Sequence, residues 1–445
     1  MEQVSAFHCT TRGYSHILKD ICCEDASGSY NCEAFHIAVV SDGHGDPACF
    51  RSHTGVQLAV DIAIEQLKSF ADTLLQENWT ERLLQPEEQE PLVRQLIRSI
   101  MGNWTIQILE DLDNHPITEE ELLASGSYEA SYRADLELPH IYGCTLIAAL
   151  ITESYLLVLH QGDGRCVVIR NDGTVNQPVP WDSLCVGNIC TSLCHEDAVE
   201  RCRYYLTDLS EEPITACYVT TDGIEDSVES LDHLNAFFCK ISRICSEKGA
   251  EAMPEYLEQL MPEISKTGSA DDTSIAAIIN TSALSGISEK LELIHQLSVC
   301  ESAGRAAREK LRSMQRKMTY LQNQLQKAEE EWKKFEQQEE KDNELSPLAI
   351  LWDLIVPKDE HVQQDLKEKA MNAYQKAKED YVTYFEKWTE YENTAHSAEV
   401  QAEEIRSKLA NSDRNSDFLE ASPNVSADYD NLELELYPEC ESDFG

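Results

Sequence analysis

The pattern of apolar and polar positions changes character near residue 285. Before that point, short apolar runs of strand length alternate with segments whose apolar residues recur every three or four positions. The predicted strands cover residues 35–40, 144–151, 155–160, 166–170, 218–221 and 273–279, and the predicted helices cover 48–70, 91–112, 231–247 and 252–261. Asp172-Gly173 between strand-like runs also indicates a hairpin. Sheets with helices packed around them are therefore expected.

After residue 285 the chain is poor in Gly and Pro and rich in Glu, Lys, Gln and Ala, with two heptad seams. The first seam runs through Leu293, Leu297, Cys300, Gly304, Ala307, Leu311, Met314, Met318, Leu321, Leu325, Ala328, Trp332 and Phe335. The second runs through Ala377, Tyr381, Tyr384, Trp388, Tyr391, Ala395, Ala398, Ala402, Ile405 and Leu409. Two long helices joined by residues 347–357 are predicted to form an antiparallel coiled-coil hairpin, with Trp332 and Phe335 meeting Tyr381, Tyr384 and Trp388.

The boundaries of this organisation are placed at residues 1–282 for the mixed region, 285–411 for the hairpin and 412–445 for an acidic tail, which is expected to be disordered. Heptads do not encode their partner, so a homodimer or another coiled-coil partner remains an alternative to pairing within the chain. The hairpin could be a structural spacer or a docking module. Its apolar tip, residues 348–356, is the part expected to bind something.

Composition restricts the partners. The 445 residues include 81 acidic and 36 basic side chains, a formal charge of −45, which argues against nucleic acid and anionic membranes because both would be repelled. The 16 cysteines are irregularly spaced, the first residues lack a signal segment, and no apolar run approaches the ~20 residues that span a bilayer. These features predict a cytoplasmic protein with reduced thiols.

Candidate chemistry lies where apolar runs end in carboxylates. The run ending Val39-Val40-Ser41 stops at Asp42-Gly43-His44-Gly45, and comparable endings occur at Gly162-Asp163-Gly164-Arg165, Thr221-Asp222-Gly223 and Asp271-Asp272. An aspartate held at a strand end by a tight turn can bridge hard cations through both oxygens. Any one of these steps is usually only a turn. Four of them suggest a polynuclear metal site.

These residues resemble the type 2C metal-dependent protein phosphatases, the PPM-type family, and look most like its bacterial members. The resemblance covers roughly the first 280 residues. It depends on six motifs in the family's order: Glu24-Asp25-Ala26, Asp42-Gly43-His44-Gly45, Gly143-Cys144-Thr145, Gly162-Asp163-Gly164-Arg165, Thr221-Asp222-Gly223 and Asp271-Asp272. The implied fold is a four-layer α-β-β-α sandwich, an α+β fold of two antiparallel sheets flanked by helices. The implied domain is 1–282.

The resemblance also implies a binuclear Mg²⁺ or Mn²⁺ centre. In it, Asp42 looks like the bridging ligand, Asp222 and Asp271 like ligands of the first ion, and the Gly43 carbonyl like a ligand of the second. The pair Glu24 and Asp25 resembles the residues that orient waters on the second ion, and Asp163 resembles the ligand of a third, weaker site. Hard oxygen ligands agree with Mg²⁺ or Mn²⁺ rather than zinc.

The implied activity is hydrolysis of phosphoserine and phosphothreonine in proteins, by direct attack of a metal-bridging hydroxide without a covalent phosphoenzyme. His44 resembles the general acid that protonates the departing oxygen. Two alternatives stay open: a catalytically quiet scaffold that binds phosphoproteins, and a phosphatase of a small phosphorylated molecule. The presence of Asp42, Asp222 and Asp271 argues against the first.

Several features depart from the family's pattern. Residues 13–20 lack the arginine that grips the substrate phosphate in many members, so this role would fall to Lys19, His16 or the metals. Gly164 replaces a usual serine and is expected to loosen that turn, and Ser274 replaces a usual threonine while keeping a hydroxyl. The segment with Cys185, Cys190, Cys194, His195 and Cys202 lacks a paired Cys-x-x-Cys step, so buried or loop thiols are favoured over zinc there.

Overall fold

The structure is a computed structural model that describes residues 3–186, 189–343 and 360–415. The described residues form two compact units, one ending at His295 and the other running from Gln296 to Asn415. The predicted tip at 348–356 and the tail from residue 416 onward lie outside the described residues.

Ten strands of the described chain form two antiparallel five-stranded sheets. Sheet A has the order β1 (Val4–Thr11), β10 (Thr273–Asn280), β9 (Ile214–Thr220), β6 (Arg165–Arg170) and β7 (Val175–Asn176). Sheet B has the order β2 (Asp25–Asn31), β3 (Phe35–Asp42), β4 (Leu146–Thr152), β5 (Tyr155–Gln161) and β8 (Arg203–Asp208). The predicted pair of antiparallel sheets is confirmed.

Helices flank both sheets. The helices of the described residues are α1 Tyr14–Lys19, α2 Ser52–Gln76, α3 Thr80–Leu83, α4 Pro86–Asn114, α5 Glu119–Ala124, α6 Glu129–Arg133, α7 Ala198–Arg201, α8 Asp222–Glu225, α9 Leu231–Lys248, α10 Met253–Thr267, α11 Thr281–Asn343 and α12 Glu360–Asn415. Apolar faces of α2 and α4 pack against sheet B, and those of α9 and α10 pack against sheet A. The four-layer order of the prediction is therefore present.

A third apolar layer fills the space between the sheets. It joins Val40, Ile147 and Val158 of sheet B to Val168 and Val219 of sheet A. Because helices cover the outer faces, β4, β5 and β9 are buried along their whole length. This double burial explains why their sequences read as continuous apolar runs rather than as alternating patterns.

The sequence pattern missed β1, β2 and β8. The segment Asp25–Asn31 is made of small and polar residues with weak strand propensity, and its pairing with β3 holds it extended. Helix α2 begins at Ser52 rather than at the predicted residue 48. A 3₁₀ turn occupies Pro47–Cys49, with the Asp46 side chain accepting a hydrogen bond from the Ala48 amide.

In the second unit, α11 and α12 run antiparallel. Arg406 forms an ion pair of 2.6 Å with Glu301, and Arg308 forms another with Glu399. The seam residues Ala307, Met314, Ala395, Ala398, Ala402 and Ile405 are buried, as the heptads predict. The expected aromatic register is wrong: the Trp332 ring lies beside Lys367, and the Tyr384 ring lies beside Lys317. None of the helices described is long and apolar enough to cross a membrane.

Candidate metal centre

Acidic residues gather where strands of both sheets end. Asp42 closes β3 and lies opposite Asp25, the first residue of β2. Asp222 follows β9, and Asp163 lies in the turn between β5 and β6. Antiparallel pairing brings these strand ends to the same edge, because Arg165 at the start of β6 pairs with Thr220 at the end of β9. Motifs far apart in sequence therefore meet at one end of the sandwich.

Three carboxylates form the centre of this group. One oxygen from each of Asp42, Asp163 and Asp222 lies within 4.8 Å of the others, an arrangement that could hold a metal ion. The charge of Asp222 acts on Asp42 and adds to the rise in its pKa. Two carboxylates this close disfavour each other's ionisation, so the group favours a bound cation that offsets their charges.

Asp25 adds a fourth, buried carboxylate. Its Oδ2 accepts a hydrogen bond of 2.7 Å from Thr221 Oγ1. Burial raises the pKa of Asp25 well above its usual range; the Thr221 hydrogen bond opposes this shift, and the charges of Asp272 and Asp222 add to it. Asp25 thus joins β2 in sheet B to the β9–α8 turn of sheet A.

The negative charges of Asp42, Asp163 and Asp222 are not balanced by nearby positive side chains among the described residues. Burial first, and then the charges of Asp222 and Asp25, raise the pKa of Asp42 well above its usual range. Burial, with added repulsion from the charges of Asp163 and Asp226, raises the pKa of Asp222 to about 7. Burial also raises the pKa of Asp163. Among the described residues, none of these three forms an ion pair with Lys, Arg or His.

This donor set fits hard divalent cations. Carboxylate oxygens are the ligands that Mg²⁺ and Mn²⁺ prefer, and cations would offset the repulsion that raises these pKa values. By contrast, the cysteines of the 185–202 segment form no comparable ligand group among the described residues. Cys194 contacts Ser192 Oγ and Cys185 contacts Thr191 Oγ1 instead.

Glu24 and Gly43 lie beside this group. Glu24 Oε1 accepts a hydrogen bond of 2.7 Å from Ser52, and the Glu24 carbonyl accepts one of 2.8 Å from the Gly43 amide. A Cβ atom at Gly43 would lie 2.6 Å from the Glu24 carbonyl oxygen and 2.9 Å from Ser52 Cβ. Only glycine therefore lets these segments approach so closely.

His44 follows at the next position. Its amide donates to the Gly143 carbonyl at 3.1 Å, and its Nδ1 lies 3.9 Å from Cys190 Sγ. Burial, with repulsion from His140 and His195, lowers the pKa of His44 to about 4. The imidazole is therefore neutral at pH 7 in the ligand-free chain.

The neighbours Asp271 and Asp272 have different surroundings. The Asp271 side chain is 59% exposed, and its charge contributes to the raised pKa of Asp222. Asp272 is buried and accepts hydrogen bonds from the Gly13 amide and the Glu24 amide, each at 2.5 Å. Asp271 thus lies at the margin of the centre, whereas Asp272 holds two of its segments together.

Of the two candidate phosphate-binding residues, the structure brings one to the centre. His16 Nδ1 lies 3.0 Å from Asp272 Oδ2, and its Nε2 lies 3.9 Å from Asp271 Oδ1. Lys19 is exposed on the same helix, and its side chain makes no hydrogen bond or ion pair with another described residue. The sequence reasoning missed Arg12, which immediately precedes the segment searched for an arginine and bonds the His16 carbonyl at 3.0 Å.

Two further positioning residues belong to motifs that carry the family resemblance, although the sequence assigned no role to either. Thr221 bonds Asp25, and Thr145 Oγ1 accepts a hydrogen bond of 3.0 Å from the Asp42 amide. Both are ordinary strand residues in sequence, and each partner is more than 100 positions away. Their roles become visible only when the sheets are assembled.

The two substitutions relative to the family pattern have distinct structural settings. A Cβ atom at Gly164 would lie 2.3 Å from the Thr220 carbonyl oxygen, so the turn requires glycine here. The expectation that this glycine loosens the turn is therefore wrong. Ser274 keeps a hydroxyl, and its Oγ bonds Thr10 Oγ1 at 2.8 Å.

Comparison with known proteins gave one family and several weak structural similarities. The family model described as protein phosphatase 2C matches residues 12–261. The chain is similar to Stp1, a serine/threonine phosphatase from Staphylococcus aureus, at 18% identity over 62% of this chain and 94% of that chain, with a TM-score of 0.38. The search of curated proteins found no match.

Two structures of the phosphatase PstP are also similar. The Mycobacterium tuberculosis PstP/Ppp structure has 16% identity, covers 62% of this chain and 98% of that chain, and has a TM-score of 0.38. The PstP catalytic domain in complex with two manganese ions has 18% identity, covers 62% of this chain and 97% of that chain, and has a TM-score of 0.36.

Proposed function

This chain belongs to the protein phosphatase 2C family of metal-dependent serine/threonine phosphatases, and we propose that the carboxylate group around Asp42 is its catalytic metal centre. The observation that carries this proposal is the meeting of Asp42, Asp163 and Asp222 within 4.8 Å, with no basic residue paired to them among the described residues. Such a group is costly to bury without cations. Its position at the end of two sheets leaves it accessible to a phosphorylated protein.

We assign the residues as follows. Asp42 would be a ligand shared by two ions, Asp222 and Asp271 would hold the first, and the Gly43 carbonyl would hold the second. Glu24 and Asp25 would hold water next to the second ion. The position of an Asp163 oxygen within 4.8 Å of oxygens of Asp42 and Asp222 supports a place for it in the centre, where it would hold a third ion.

Two bound Mg²⁺ or Mn²⁺ ions would supply a water of lowered pKa and would neutralise part of the phosphate charge. The chain itself would provide the proton that the departing serine or threonine oxygen needs. We propose His44 for that proton. Because the pKa of His44 is about 4 in the ligand-free chain, this role requires the phosphate dianion to raise that pKa when substrate binds.

The proposal extends to the organisation of the chain: a phosphatase domain at 1–282, a coiled-coil hairpin at 285–411 and an acidic tail at 412–445, in a cytoplasmic protein. The substrates are phosphoserine and phosphothreonine proteins. The paired helices α11 and α12 support a hairpin that closes within one chain, although the same seam could bind a second coiled-coil partner or a second copy.

The test is phosphate release by the full chain from p-nitrophenyl phosphate and from a phosphothreonine peptide, with Mn²⁺, Mg²⁺ or a chelator. We expect metal-dependent release from both, reduced at least ~100-fold in Asp42→Asn and Asp222→Asn. Asp61→Asn, an exposed carboxylate on α2, is the matched control and should keep full activity.

Each alternative has its own outcome in this assay. A folded chain that binds Mn²⁺ by calorimetry but releases phosphate from neither substrate would favour the scaffold that binds phosphoproteins. Release from p-nitrophenyl phosphate without release from the peptide would favour a small phosphorylated molecule as substrate.

A further inference from the structure

A small apolar surface lies on helix α1, beside the metal centre. Ile17 and Leu18 are 53% and 70% exposed, and Tyr14 on the same helix face and Ile21 just beyond the helix are exposed as well. The intervening His16 points to the centre, where it contacts Asp272 and Asp271. One short helix thus presents a titratable group to the catalytic carboxylates and apolar side chains to solvent.

A second apolar surface lies on the loop between β7 and α7. Leu184 and Ile189 are 51% and 70% exposed, and Trp181 and Val186 are also exposed. The Arg165 guanidinium lies 4.0 Å from the Trp181 ring centroid, and this arginine bonds both oxygens of Glu225 in α8. The loop is therefore held against the segment that carries Asp222.

The same loop reaches the centre at its other end. Thr191 Oγ1 accepts a hydrogen bond of 3.0 Å from the Gly162 amide, next to Asp163. Cys190, which follows Ile189, lies 3.9 Å from His44. The exposed apolar side chains of this loop consequently border the centre on the side of Asp163 and His44.

The sheet order places these two surfaces on opposite sides. Helix α1 follows β1, and the loop follows β7; these strands are the two edges of sheet A. Both segments leave the sheet toward the metal-binding end. Strand β1 ends at Thr11, which pairs with Thr273 just after Asp272. Strand β6 begins at the metal-binding end, where Arg165 pairs with Thr220. Because β7 is antiparallel to β6, it runs back toward that end. A peptide that crosses the centre from one edge to the other passes both surfaces.

We infer that the preferred substrate is a phosphoprotein segment whose phosphorylated residue has apolar side chains on both sides, one group contacting α1 and the other contacting Trp181, Leu184, Val186 and Ile189. This inference depends on the proposed phosphatase function. Single exposed apolar residues are normal on proteins, but two groups of them that border one charged centre mark a binding surface. The chain's formal charge of −45 opposes acidic residues next to the phosphorylated residue, and the exposed side chains beside the centre supply apolar contact.

The test compares phosphothreonine peptides on the full chain with Mn²⁺. One peptide has Leu, Ile or Val at the second and third positions on both sides of the phosphothreonine, and a matched peptide has Ser there. Two further peptides are apolar on the amino-terminal or the carboxy-terminal side alone. We expect kcat/KM to favour the doubly apolar peptide over the serine peptide by about tenfold.

Substitutions in each surface show which side of the phosphothreonine that surface contacts. Ile17→Ser combined with Leu18→Ser should remove the preference for apolar residues on one side of the phosphothreonine only, and Leu184→Ser should reduce it on the other. Leu123→Ser on α5, at a leucine that is 62% exposed, is the matched control and should keep both preferences. Melting temperatures check that all variants remain folded.

The outcomes separate the two proposals. Equal kcat/KM for the doubly apolar and serine peptides overturns this inference while the phosphatase function stands. A preference that survives in both the α1 and the loop variants also overturns it. If neither the peptides nor p-nitrophenyl phosphate are hydrolysed with Mn²⁺ or Mg²⁺, the proposed function itself fails.

Discussion

Thr221 Oγ1 donates a hydrogen bond of 2.7 Å to Asp25 Oδ2 and thereby connects the two sheets at the carboxylate centre. Thr221 lies between β9 and Asp222, whereas Asp25 begins β2. The same hydroxyl accepts a hydrogen bond of 2.9 Å from the Ser274 amide. One side chain therefore positions three segments that carry acidic residues.

Replacing Thr221 with valine keeps the shape and removes these hydrogen bonds. Because the Thr221 hydrogen bond lowers the pKa of Asp25, its loss should raise that pKa further, and a proton should then compete better with a cation. We expect Mn²⁺ affinity, measured by calorimetry at pH 7, to fall about tenfold or more.

The neighbouring residue provides the control. Thr220 is also buried, but its hydroxyl has no hydrogen-bond partner among the described residues. Thr220→Val should leave Mn²⁺ affinity unchanged and keep or increase stability. Equal losses of affinity in the two variants would contradict a specific role for Thr221.

The adjacent Asp271 and Asp272 should respond oppositely to conversion to asparagine. Asp272 accepts two backbone amides on separate oxygens, and an amide NH₂ group would oppose one of them, so Asp272→Asn should lower the free energy of unfolding by about 2 kcal/mol. Asp271 is exposed, so Asp271→Asn should change stability by less than about 0.5 kcal/mol while weakening Mn²⁺ binding. Urea unfolding in the presence of a chelator measures stability, and Mn²⁺ titration measures metal binding. A large loss of stability in Asp271→Asn together with none in Asp272→Asn would contradict the different roles of the two residues.

A buried histidine should make the chain less stable in acid. Burial, with the charges of Arg203 and Arg165, lowers the pKa of His160 well below its usual range. The folded chain keeps His160 neutral while the unfolded chain binds a proton below about pH 6.5, so stability is lost as pH falls through that value. Between pH 7 and pH 5.5 the loss from this group should be about 1 kcal/mol.

The contribution of His160 is measured by urea unfolding of His160→Met at both pH values. We expect the free energy of unfolding of this variant to depend less on pH than that of the wild type. His396→Gln, at an exposed histidine of α12, should keep the wild-type dependence. An unchanged pH dependence in His160→Met would show that other groups account for the acid sensitivity.

Gly304 in the coiled coil offers a stabilising change. A Cβ atom there would lie 3.4 Å from Ala398 Cβ, an ordinary contact, and alanine favours helix over glycine. Gly304→Ala should therefore stabilise the paired helices by about 0.5–1 kcal/mol, seen as slower amide exchange in both helices. Gly304→Leu should destabilise them, because the larger side chain would overlap Ala398. An increase in stability from both Gly304→Ala and Gly304→Leu would contradict the close approach of the two helices.

The acidic motifs and the heptads were readable from local sequence. Asp42 and Asp222 stand at abrupt ends of apolar runs, and a carboxylate followed by glycine is a local signal for a turn at a strand end. The coiled-coil seam is likewise a short-range repeat. Such patterns carry information because the side chains involved are within one helical turn or one strand of each other.

Register and polar partners were not readable. Strand β2 lacks strong strand propensity and is held extended by its pairing with β3. In the coiled coil, the position of Trp332 beside Lys367 depends on the heptad register in which the two helices pair. Neighbouring heptad registers bury similar side chains, so the sequence distinguishes them weakly.

The sequence by itself therefore determined the strand-end carboxylates, the layered sheets and the long helices. Only the tertiary structure decided that Asp163 lies within 4.8 Å of Asp42 and Asp222, that Asp272 rather than Asp271 is the buried neighbour, and that Gly164 fits against the Thr220 carbonyl. The physical reason is distance along the chain. Turn and periodicity preferences act between near neighbours, whereas burial, carboxylate repulsion and close backbone approach arise between strands brought together only by folding.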